Sequence, residues 1–146
     1  MGGFSDAYAQ IRTELETLFP TYNEIDNPYN IDGTEKVFLK LAYGITVGDA
    51  VNTTRRTISR ADVTRRFGIV LAREAFIVKN DTARRIVAEK ALFEDLTNII
   101  KVFEVKIPNV TRARYEDDSG LEFVGGDQYN SLILRSSFLV DYRESL

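Results

Sequence analysis

Three adjacent carboxylates, Glu116-Asp117-Asp118, are the densest group in this sequence that could hold a cation or exchange a proton. A calcium loop would need further oxygen donors at regular spacing, and none are present. Ser119-Gly120 comes next, and the run reads as an exposed hairpin turn, because Asp, Ser and Gly each satisfy or relax a tight backbone. Other reactive ingredients are scarce. The 146 residues include no histidine and no cysteine, which excludes Ser–His and Cys–His nucleophile pairs, thiolate metal sites and disulfides. Gly44 to Gly48 lacks the GK[ST] ending of a phosphate loop, and Gly125-Gly126 lacks a third glycine and a following helix. Both glycine pairs read as turns. Carboxylate, Lys and Tyr chemistry is formally open, yet no two carboxylates can be assigned to one pocket. We therefore expect a non-enzymatic protein with no catalytic residue, no metal and no cofactor.

Positive charge is concentrated once, at Arg55, Arg56, Arg60, Arg65 and Arg66, with Asp62 as the single acid in that window. Phosphate contact is one use for such a run. A reader of single strands would interleave stacking aromatics, and only Phe67 lies nearby. The favoured expectation is a strand edge kept from aggregating by charge, or one side of an ion-paired subunit contact. Acidic residues such as Glu89, Glu94 and Asp95 could serve as partners across that contact. Ile45, Val47 and Val51 are apolar without periodicity, so they either meet a neighbouring chain or pack down onto their own sheet. The formal net charge of -3 argues against a surface adapted throughout to nucleic acid.

The elements that must position these residues can be read from spacing. Tyr8, Ile11, Leu15, Leu18 and Phe19 recur at helical intervals behind Ser5, an N-cap type, and Pro20 limits the helix. Thr21 to Thr34 has loop composition with room for a short strand near Glu24-Ile25. Lys36 to Tyr43 alternates as a strand, Gly44 to Thr57 loses the alternation and is predicted to be a long loop, and Ala61 to Val78 resumes a strand with Gly68 as a possible bulge. Asn80 or Asp81 caps a second helix with a stripe of Ile86, Leu92, Phe93, Leu96, Ile99, Ile100 and Phe103. Val110 to Tyr115, the turn, and Leu121 to Val124 come next. The last strand is the clearest, with Leu132, Leu134, Phe138, Val140 and Tyr142 on one parity and Arg135, Ser137 and Asp141 on the other. The predicted fold is α+β, a mostly antiparallel sheet with two helices on one face, in the order α-β-β-α-β-β. With 44% hydrophobic residues, one domain over 1–146 is expected. No export signal of the usual type is visible, and no apolar run approaches the roughly 18 residues of a bilayer span.

The order of these segments carries a family resemblance. A helix at Ser5 to Phe19 is followed by a strand and long loop. The Arg-Arg-Phe-Gly-Ile-Val-Leu strand at Arg65 to Leu71 leads to the Asn80 to Phe103 helix, and Gly125-Gly126-Asp127 precedes the closing strand, with the aromatic Tyr129 near its start. Together they resemble the tail terminator proteins of long-tailed, siphovirus-type bacteriophages. The resemblance implies a virion protein assembled in the host cytoplasm and located in the tail or neck. It would form a homohexameric ring that docks on the tail tube protein, stops tube polymerisation and presents a surface to the head-completion protein. DNA would pass through the channel without sequence-specific binding, and no membrane is involved. The resemblance names no catalytic residue. Two alternatives stay open: a head-completion or stopper connector protein, and a nucleic-acid-binding module acting through Arg55 to Arg66.

Overall fold

The computed structural model describes residues 3–31, 41–57, 60–75, 82–105, 112–125 and 130–145. Seven elements succeed one another: helix α1 (Phe4–Leu18), strands β1 (Asn23–Glu24), β2 (Leu41–Thr57) and β3 (Arg60–Ala75), helix α2 (Thr82–Glu104), and strands β4 (Arg112–Gly125) and β5 (Asn130–Ser145). The expected order α-β-β-α-β-β is overturned. A two-residue β1 adds a strand before α2 and runs parallel to β2, so the five-stranded sheet, ordered β1-β2-β3-β5-β4, is mixed. The class remains α+β.

Two further corrections concern backbone that composition disguised. Gly44 to Thr57, expected as a loop, is the body of β2 and pairs with β3 along its length. Its alternation fails because three register shifts, between Val47 and Ala50, Ala50 and Asn52, and Arg55 and Thr57, each add an unmatched residue on β2. Such a bulge moves the following side chains to the other face. Gly44 and Gly48 therefore lie inside a strand, not in turns. Asp117 to Gly120 likewise lies within β4, where two shifts against β5 absorb the turn-forming residues. Gly120 has φ +78°, and the Asp118 Oδ1 accepts its N–H at 2.9 Å, a local Asx hydrogen bond inside an edge strand. Gly68 makes no bulge. It pairs in register with Thr46 and Ser137, and a Cβ there would overlap the Thr46 hydroxyl.

The core lies between the helices and one face of the sheet. Ala7, Ile11 and Leu15 of α1 and Ala88, Leu92, Leu96, Ile99 and Phe103 of α2 are buried against Phe67, Ile69 and Leu71 of β3 and Leu132, Leu134, Phe138 and Val140 of β5. The buried parity of β5 is the one its alternation predicts. Ser5 does not cap α1: Gly3 holds the N-cap position without a side-chain bond, and the N–H of Phe4 donates to Glu144 Oε2 at 2.9 Å. The expected caps Asn80 and Asp81, the stretch Lys36 to Lys40, and Phe76 to Val78 lie outside the described residues, as does Tyr129.

The opposite sheet face divides in two. One half is covered by a smaller apolar cluster of Ile25, Ala42, Val70, Ala72 and Ile133, pinned by the Ile25 N–H donating to the Tyr43 carbonyl at 2.8 Å. The other half is polar, and no helix lies on it among the described residues.

Candidate interaction surface

Period-two geometry sends Arg65 and Arg66 to opposite faces of β3. Arg65 stands on the helix side, where its Nε donates to Tyr142 Oη at 3.0 Å and its Nη1 to the Gly48 carbonyl at 3.0 Å. Arg66 enters the polar face and forks. Its Nε and Nη2 donate to the two oxygens of Glu116 at 2.9 and 3.1 Å, and its Nη1 donates to both oxygens of Asp49 at 2.9 and 3.2 Å. Ser137 Oγ donates to the same Glu116 at 2.7 Å. The Arg66 and Ser137 bonds hold the Glu116 carboxyl below the usual carboxylate range, and Glu116 and then Asp49 raise the Arg66 guanidinium further, since each favours the charged form of its partner. Four chain segments thus meet at one bidentate pair.

The same face continues toward the hairpin end. Thr64 Oγ1 donates to Asp141 Oδ1 at 2.5 Å, Arg114 Nη2 donates to that oxygen at 3.2 Å, and Arg143 Nε donates to Asp62 Oδ1 at 3.0 Å. Of the acids considered as a neighbour's contribution, Asp95 accepts from Tyr22 Oη at 2.7 Å and Glu89 stands 3.4 Å from Arg85. Among the described residues no group of three or more carboxylates converges as a metal cage would require. Glu116, first read as part of an exposed turn, instead anchors the ion network. Its partner lies 50 positions away, and sequence spacing holds no signal for it.

The remaining expected contact residues separate by burial. Ile45 belongs to the main core, and Val47 is half-buried against it, its N–H donating to Tyr29 Oη at 2.9 Å. Val51, 41% exposed, is the extra residue of a bulge on β2. Arg55 and Arg60 are exposed near the end of the β2–β3 hairpin, and Arg56 lies on β2 with a side chain outside the described residues. No family model matches this chain, and no curated protein does either.

The two lateral ends of the sheet are unlike. At one end, among the described residues, β2 is covered by β1 only at Ala42 and Tyr43, so there its later half, from Gly48 to Thr57, is an edge carrying Val51 and Arg55. At the other end β4 is an edge strand bearing exposed Asp117 and Glu122. Beside it, α2 and β4 bound a groove of about 640 Å³ whose apolar lining is Ile86, Phe93 and Leu121. Ile86, Phe93 and the neighbouring Phe123 are 39%, 41% and 46% exposed. An exposed cluster of large apolar side chains rimmed by charge marks a contact surface more often than free solvent. Sequence reading missed this surface because Ile86 and Phe93 fit the helical stripe that it assigned wholly to the core.

Proposed function

We propose that this chain is a ring-forming structural subunit of the tail-terminator type, seated at the head-proximal end of a long phage tail. One observation carries the reading: the sheet ends in two different surfaces, a bulged edge with Arg55 and Val51 on one side and an acidic edge beside an apolar groove on the other. Contact between unlike patches is heterologous, and where the rotation closes it yields a ring whose growth is limited by geometry alone. Such a ring stops tail-tube polymerisation by occupying its end, offers its far side to the head-completion protein, and leaves a channel through which DNA passes without being read.

Electron micrographs of the purified protein, paired with native mass measurement over rising concentration, test this directly. Rings with a central opening, or particles seated on one end of isolated tail tubes, are expected. A single-chain mass throughout, together with tubes that elongate normally in the protein's presence, would reject the proposal.

A further inference from the structure

A glycine inside a regular strand gives up packing, and one use for the gap is to let another group approach the backbone closely. Gly68 is such a residue. It sits in register between Thr46 of β2 and Ser137 of β5. It belongs to the polar face, because its neighbours Phe67 and Ile69 point into the core. A Cβ on Gly68 would overlap the Thr46 hydroxyl, and a Cβ on Gly48 would stand 3.3 Å from the Arg66 carbonyl oxygen. The two glycines open the floor of a cavity of about 340 Å³ that lies between Arg66 and Arg135, the latter level with Val70. Its volume falls at the lower end of the range of small-molecule sites.

The walls offer donors and one unmatched positive charge. Among the described residues that line the cavity, none carries a carboxylate. Arg135 donates through Nη1 to the Pro28 carbonyl at 3.1 Å and makes no ion pair among the described residues, so its charge and its other N–H groups remain for an anion. Tyr29 Oη accepts the Val47 N–H at 2.9 Å, which leaves its own proton to donate elsewhere. The Thr46 hydroxyl, held over Gly68, has no hydrogen bond among the described residues. Arg66 differs, because Glu116 and Asp49 already match its charge, and it serves as a wall. A guanidinium fork and two hydroxyls from separate segments suit a tetrahedral oxyanion, whose oxygens point in several directions. A planar carboxylate would be satisfied by the fork alone.

We infer that this cavity binds a phosphate group, with Arg135 as the charged anchor, Tyr29 and Thr46 as neutral donors, and Gly48 and Gly68 leaving the room. The inference stands apart from the ring reading. A free phosphate compound and a phosphodiester of nucleic acid offer the same chemistry. Amide NMR spectra of the full chain at neutral pH and fixed ionic strength, with inorganic phosphate as the probe, test it. Phosphate is expected to shift the amides of Thr46, Val47, Gly48 and Gly68 along one saturating curve. Arg135→Lys keeps the charge but loses the fork, and should weaken binding at least about tenfold. Thr46→Val removes a hydroxyl that no described group uses, so the thermal midpoint should hold while affinity falls about tenfold. A single-stranded oligothymidylate and a DNA duplex, each added to the phosphate complex, tell the sources apart. Displacement of phosphate by either one, weakened in Arg135→Lys, assigns the site to nucleic-acid backbone, and no displacement assigns it to a free phosphate compound. Shifts that stay linear in phosphate or spread over the whole surface would overturn the inference, as would an affinity that either variant leaves unchanged. Acetate shifting the same amides with equal affinity would also overturn it, making the cavity a seat for a protein carboxylate.

Discussion

Arg66 binds two carboxylates from two different strands, and this makes Glu116 a structural residue although its neighbours in sequence are exposed. The bidentate geometry fixes Glu116 opposite β3 and lets Ser137 donate to the same oxygen, so three strands are tied across the polar face. Because the Glu116 pKa is lowered in the folded chain, the unfolded state binds the proton more readily. The stability it contributes is complete above its ordinary value of 4.5 and is lost as pH falls through the lowered folded value. Glu116→Gln should thus reduce the urea midpoint at pH 7 by a modest amount, and the deficit relative to the native protein should shrink as the pH falls below 4.5. A deficit that stays constant into acid would mean that shape, not charge, is what Glu116 supplies. Tyr22 and Asp95 are a contrasting pair. Burial, then the bond to Asp95, pushes the Tyr22 hydroxyl up to about 12, and burial raises the Asp95 carboxyl. Burial thus opposes ionisation at both groups of this pair.

At the scale of elements, what the sequence made legible were the places where one period held without interruption. α1, α2 and β5 are such places: the stripe of Ile11 and Leu15, that of Leu92, Leu96, Ile99 and Phe103, and the parity of Leu132 to Tyr142 all face the core. β2 and β4 were hidden because each bulge adds a residue and resets the phase, and because Asn52-Thr53-Thr54 and Asp117-Asp118-Ser119-Gly120 have turn chemistry that bulges also use. The two-residue strand β1 lay at the limit of recognition, since two residues have no period. β1 is held from outside, by the segment that crosses β2 at Gly44. A Cβ on Gly44 would stand 2.6 Å from the Pro28 Cβ and 3.4 Å from the Ile25 Cβ, and a proline ring has little freedom to withdraw. Gly44→Ala is accordingly expected to destabilise the fold by about 1–3 kcal/mol, the usual range for overpacking. The damage should be local first. The Ile25 amide, bonded to the Tyr43 carbonyl, should exchange its hydrogen faster, while amides in the middle of α2 change only by the global loss. Unaltered exchange at Ile25 would show that the segment does not depend on the missing side chain.

At the scale of the whole molecule, a joint made of unlike edges has a property that a symmetric one lacks: each copy enters it once through each side. Val51→Glu alters only the bulged edge, and Phe93→Glu only the groove beside the acidic edge. Each variant alone lacks one half of every joint, because a carboxylate pressed against an apolar surface must lose its water. Each should therefore assemble at least about tenfold more weakly than the native chain. Mixed in equal amounts, the two keep one complete joint between them, since the unaltered groove of one meets the unaltered bulged edge of the other. That joint leaves only altered surfaces open, so the mixture should stop at a dimer with one copy of each variant, countable by native mass because the variants differ in mass. If the mixture assembles no better than its components, the two edges do not meet.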